Sequence, residues 1–214
     1  MLYLYSFTAD LFDGMAARKF NQCSQFGGLL DMVTDRCSTL GLLFVLYGEY
    51  GAIGETNFEL YRLVRSIFLF LSKIFNSSER GTFSISDQNS KLFLSLAILD
   101  IASHWCQMYA AASFNLHHKS EEGNEKCFIL VRWYYQIYAF FGYCCVSAEV
   151  TYITLYGLAH AKTPFLSSLS HVLLFICTPG CATKQVVNVF QLASSCKIVA
   201  EYDAETITKK KKSI

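Results

Sequence analysis

Charge is what this sequence has least of. Asp, Glu, Lys and Arg make up 16% of its 214 residues, against about a quarter in an ordinary soluble domain. They are clustered, leaving long stretches with almost none, while 53% of residues are hydrophobic and the mean hydropathy is +0.30. That balance argues against a water-soluble globular domain and for an integral membrane protein. The net charge is +1, and no basic stripe with interleaved aromatics is present, so nucleic acid is set aside as a partner. No secretory signal peptide is expected from the opening MLYLYSFTA, which is apolar but has no basic start and is too short to span a bilayer. Cysteine is not scarce, with nine residues. Cys106, Cys144, Cys145 and Cys177 nevertheless lie inside apolar runs, and no C-x-x-C pairs with a second such pair or with histidines. They read as small apolar packing residues rather than a disulfide framework or a zinc site.

The apolar runs define the expected fold: all-α, a polytopic transmembrane helical bundle of about five spans. Residues 1 to about 20 read as a short first helix. A second starts near Gly27 and runs to about Tyr47, polar in its first turns and aliphatic beyond. GEYGAIGE is turn-like. ELYRLVRSIFLFLSKIF carries Arg62, Arg65 and Lys73 and is expected to lie as an amphipathic helix at the interface. A polar loop with the sequon at Asn76 follows. Leu92 to Ala112 is a third span in which Asp100 and His104 stand four apart on one face, expected as a mutually bonded pair that helps pack the bundle. A charged connection covers His117 to Lys126. A long aromatic-rich span from about Val131 to Ala159 holds one deep acid, Glu149, expected to face the bundle. The last span runs from Phe165 to about Phe190, with a kink at Pro179-Gly180. The tail ends KKKKSI, which favours the cytoplasmic face. Lys211 and Lys212, fourth and third from the C-terminus, resemble a dilysine endoplasmic-reticulum retrieval signal.

The chemistry concentrates in Asp10–Asp35. Asp10 and Asp13 are three apart and Asp31 and Asp35 four apart. On helices both spacings place the two carboxylates on one face. Two such helices facing each other would bring four acids together, and an oxygen-only cluster suits Mg²⁺ or Mn²⁺. Gly14 allows close approach of a substrate to the backbone. Ala17 keeps the face of Asp13 uncrowded, and Arg18 can grip phosphate in a fork geometry. Gly27 is expected to let the two helices approach. Asp35 lies one turn deeper than Asp31, so one acid can bind metal while its neighbour handles a proton.

The full pattern, Asp10-x-x-Asp13-Gly14-x-x-Ala17-Arg18, eight residues, Gly27-x-x-x-Asp31-x-x-x-Asp35, resembles the signature of the CDP-alcohol phosphatidyltransferases. The words AARKFNQ, FGGLLDMVTDRCST, LDIASHWCQMY and GYCCVSAEVTYI resemble its eukaryotic phosphatidylinositol-synthase branch. The likeness covers about 1–47 and 92–205. It implies one membrane domain over 1–214, N-terminally truncated relative to a family of six spans and carrying an insertion at 48–90. It also implies roles: Asp10, Asp13 and Asp31 as ligands of Mg²⁺ or Mn²⁺, Asp35 as general base and further ligand, and Gly14, Arg18 and Ser24 as contacts to CDP-diacylglycerol. The implied reaction is attack of a myo-inositol hydroxyl on the phosphoryl group bearing diacylglycerol, with release of CMP. The implied setting is the lipid bilayer of the endoplasmic reticulum or Golgi, with the site facing the cytoplasm and the chain as a homodimer. The alternatives are another acceptor alcohol, or an inactive truncated membrane subunit.

Overall fold

The computed structural model of the chain describes residues 2–52, 85–113 and 129–212. The expected interfacial helix at 59–75, the sequon at Asn76 and the connection 117–126 lie outside the described residues, as do the side chains of Asp10 and of the tail lysines 209–212. Within the described residues the chain is helical throughout: α1 (Leu2–Lys19), α2 (Gln25–Ala52), α3 (Ile85–Ser113), α4 (Ile129–Gln136), α5 (Tyr138–Ala159) and α6 (Pro164–Lys212). Helices α2, α3, α5 and α6 form the bundle, and α4 lies against α5 and α6. Helix α1 has no extensive packing partner among the described residues.

Several boundaries differ from the expected ones, each for a packing reason. α2 does not stop at Tyr47 but continues through the glycines to Ala52. Tyr50 is buried there, its ring 5.6 Å from Phe93 and its hydroxyl donating to the Leu155 carbonyl at 2.9 Å. These contacts outweigh the cost of about 1 kcal/mol for a glycine inside a helix. α3 likewise begins at Ile85, inside the segment expected as a polar loop, and Ser90 approaches the Tyr47 carbonyl at 3.4 Å. The aromatic span is two helices rather than one. Ile137 has left the helical region at φ −93° and ψ 84°. Tyr134 and Phe141 would be about 10 Å apart along a continuous helix, yet their rings lie 5.3 Å apart. α6 runs through Pro179 without interruption and on to Lys212, well past Phe190. Near the turn where the proline withholds a backbone donor, the Tyr143 hydroxyl donates to the Ile176 carbonyl at 2.8 Å.

The distribution of polarity explains the solvent this fold is built for. One layer of the interior is apolar, built on Leu43, Leu46, Leu96, Ala148, Tyr152 and Leu174. The adjacent layer is polar: Arg36, Asp100, Glu149, Lys184, Gln185 and Asn188 are all buried. The outer surface is apolar, with Phe44, Ile98, Trp105, Val172, Phe175 and Ile176 exposed. Water-soluble domains bury such charges rarely and do not surround them with exposed aromatics. A hydrocarbon solvent demands that arrangement, because ionisable groups are then least costly facing one another inside the bundle. One helix among the described residues, Pro164–Ala204, is long and apolar enough by length and composition to cross a membrane.

α5 and α6 pack tightly at Gly180. A Cβ there would stand 2.7 Å from Ser147 Cβ and 2.8 Å from Tyr143 Cε1. Both belong to α5, so the helices must move apart to admit a methyl group. Gly180→Ala should destabilise the bundle by about 1–3 kcal/mol, as overpacking usually does, and Ser147→Gly in the same chain should recover part of that. Thermal unfolding of the purified protein in detergent measures both.

Candidate active site

The acidic stretch occupies the end of α1, a tight connection and the first half of α2. α1 carries Asp10, Asp13, Gly14, Ala17 and Arg18 within about two and a half turns. Asp13 and Arg18 are exposed, and Gly14 and Ala17 are half-buried. The Arg18 guanidinium folds back over Gly14, with Nη1 3.7 Å from where a Cβ of residue 14 would stand. A Cβ at 14 would thus stand in ordinary van der Waals contact with the cation.

The connection reverses at Asn21, whose φ of 52° is left-handed, a region asparagine enters more readily than most residues. Ser24 then caps α2: the Gly27 amide donates to Ser24 Oγ at 2.9 Å, satisfying one of the free amides of a helix start. A Cβ at Gly27 would meet the same oxygen at 3.1 Å. Among the described residues it is this cap, rather than α1, that stands against Gly27. Ser24 thus fixes where α2 begins and so the register of Asp31 and Asp35.

Asp31 is exposed and the Asp35 side chain is 43% exposed. The two stand one turn apart on α2. Among the described residues no group of three or more His, Cys, Asp or Glu side chains is gathered closely enough to hold a metal; Asp10 falls outside that set. The donor chemistry nonetheless fits a hard divalent cation. Asp13, Asp31 and Asp35 offer carboxylate oxygens only, accessible from solvent, with no thiolate or imidazole beside them in the pattern.

Behind Asp35 the polarity runs inward. Arg36 Nη1 lies 2.8 Å from both Asp100 Oδ1 and Asp100 Oδ2, and Nη2 lies 3.4 Å from Asp35 Oδ2. Thr39 Oγ1 lies 3.0 Å from the Asp35 carbonyl and 2.9 Å from Glu149 Oε1. Lys184 of α6 is buried in the same layer. The expected Asp100–His104 pair is therefore not the main interaction. The Asp100 carboxylate serves Arg36, and His104 Nδ1 lies 2.8 Å from the Asp100 carbonyl but 3.7 Å from its Oδ1. Glu149 faces the bundle as expected and meets Thr39. Arg36 and Lys184 escaped the reading of the sequence, although each is an ionisable residue within an apolar helix, the signal that singled out Asp100.

Comparison with known proteins shows what the chain is similar to. Residues 1–117 match the family model described as CDP-alcohol phosphatidyltransferase. The chain is 37% identical over 221 residues to the Arabidopsis thaliana protein named probable CDP-diacylglycerol–inositol 3-phosphatidyltransferase 2, covering 98% of this chain and 81% of that one. It is 30% identical to the Homo sapiens CDP-diacylglycerol–inositol 3-phosphatidyltransferase, covering 98% and 82%. The Saccharomyces cerevisiae protein of the same name is 29% identical, with 99% and 78% covered. No solved structure matches.

Proposed function

We infer, because this chain belongs to the CDP-alcohol phosphatidyltransferase family, that it is a CDP-diacylglycerol–inositol 3-phosphatidyltransferase. It transfers the phosphatidyl group of CDP-diacylglycerol to myo-inositol and releases CMP. The observation that carries the assignment is the complete eight-position pattern from Asp10 to Asp35, set on two consecutive helices whose register is fixed at Ser24. One domain over 1–214 performs it.

The residues divide the work. Gly14 and Arg18 receive the diphosphate of CDP-diacylglycerol, Gly14 by leaving the backbone open and Arg18 by its paired donors. Ser24 contributes a further polar contact at the start of α2. Asp10, Asp13, Asp31 and Asp35 would hold Mg²⁺ or Mn²⁺, which when bound offsets diphosphate charge and polarises its oxygens. Asp35 takes the proton from the attacking inositol hydroxyl. The new bond joins that oxygen to the phosphorus bearing diacylglycerol, and the bond from that phosphorus to the CMP oxygen breaks. The apolar outer face supports a site at the membrane surface, where the diacylglycerol chains stay in the hydrocarbon while the head group meets the acids. The basic tail favours a site facing the cytoplasm, in the endoplasmic reticulum or Golgi membrane, with the chain as a homodimer.

The test is CMP release by the purified full chain in CDP-diacylglycerol vesicles. Release should require myo-inositol and a divalent cation. Excess chelator should abolish it, and Mg²⁺ or Mn²⁺ should restore it. Release that persists at full rate after chelation would contradict the metal role, and release driven equally by glycerol phosphate, choline or serine would contradict the acceptor.

A further inference from the structure

Asp35 and Arg36 are neighbours in sequence, and neighbours on a helix do not face each other: their side chains diverge by about 100°. Their contact at 3.4 Å therefore needs something to turn the guanidinium. That something is Asp100 on α3, which holds Arg36 Nη1 through both carboxylate oxygens at 2.8 Å. The pair sits where α2 and α3 run antiparallel, with Arg36 opposite Asp100 and Tyr47 opposite Ser90. With Nη1 anchored, the rigid fork carries Nη2 toward Asp35 Oδ2.

Building on the function proposed above, we propose that Arg36 is the positioning residue of the Asp35 base and that Asp100 keeps it in that role. The exposures grade from the inside out, 8% for the Asp100 side chain, 10% for Arg36 and 43% for Asp35. A buried, doubly anchored cation thus steadies a carboxylate that is open on its outer side. Arg36 engages Oδ2 and leaves Oδ1 to the acceptor's proton. Asp100 also limits how strongly Arg36 engages. Its negative charge holds the guanidinium at the short distance, so that Asp35 receives only the longer contact and is not tied up in a full ion pair. Thr39 Oγ1 stands within reach of both the Asp35 carbonyl and Glu149 Oε1, and its single proton serves one of them at a time. The link from the base to α3 runs through the Arg36 side chain.

The test separates positioning from support of the fold. In the CMP-release assay, Arg36→Lys keeps the charge but loses the fork, and Asp100→Asn keeps the shape but frees the guanidinium. Each should lower kcat by about 10–100-fold, the usual effect of removing an outer-shell partner, with the KM for CDP-diacylglycerol unchanged. Arg36→Met/Asp100→Leu replaces the buried pair with apolar groups, an exchange that commonly preserves stability. It should melt close to wild type yet keep the low kcat. If the pair only supports the fold, the double variant regains both stability and kcat, and the proposal is overturned. It is also overturned if Arg36→Lys and Asp100→Asn turn over at the wild-type rate. Failure of the underlying reading looks different: wild-type protein would then release no inositol-dependent CMP, whatever the state of Arg36.

Discussion

Asp35→Asn should lower inositol-dependent CMP release by about 10²–10⁴-fold, the contribution expected of a positioned general base. The substitution keeps the size and shape of the side chain and removes its ability to take a proton. It also weakens one of the four carboxylates proposed to hold the divalent cation, while the fold should stay as it is. Asp35 is 43% exposed, so no buried partner is stranded. Its carbonyl interaction with Thr39 involves the main chain and survives. The Arg36 guanidinium remains anchored on Asp100, and the amide oxygen of Asn can still receive its second nitrogen. The variant should therefore elute and melt as the wild type does while kcat collapses. Turnover within a few-fold of wild type in a folded Asp35→Asn protein would remove Asp35 from the role of base.

The second large effect concerns the fold. Asp100→Leu removes the carboxylate that neutralises Arg36, a residue 10% exposed in its side chain, in a layer that also holds buried Lys184. Two interior cations would then face Glu149 alone among the acids named in this layer. Breaking a buried pair from one side typically costs about 3–5 kcal/mol, because an uncompensated charge remains inside. Asp100→Leu should lower the unfolding temperature in detergent accordingly, and adding Arg36→Met should recover most of the loss. Unfolding of Asp100→Leu at the wild-type temperature would mean that the pair is not buried as described.

These two residues also mark where sequence reasoning ended. The acid pattern was legible because its information is local: spacings of three and four put side chains on one helical face whatever surrounds the helix. The all-helical class was legible for the same reason, from runs of apolar residues. Partnership across helices is not local. Asp100 and His104 stand four apart, a spacing that permits a pair, and nothing in α3 announces that α2 will offer Asp100 a guanidinium with two donors and a full charge. Only the packing of α2 on α3 reveals that Arg36 outcompetes His104. The break at Ile137 was hidden likewise. No glycine or proline marks it, and it is stabilised by Tyr134 meeting Phe141 and by the Tyr135 hydroxyl reaching Gln107 and Gln191. The glycines at 48 and 51 misled in the opposite direction, because burial of Tyr50 carries the helix past them.

The identity of the lipid product tests the account most directly. The purified 214-residue chain, reconstituted with CDP-diacylglycerol and Mn²⁺ or Mg²⁺, would be given labelled myo-inositol, and the chloroform-soluble lipids separated. Labelled phosphatidylinositol should form in step with CMP and fall with it in Asp35→Asn. CMP appearing without labelled lipid, or a lipid formed from another alcohol while inositol stays in the water phase, would contradict the account.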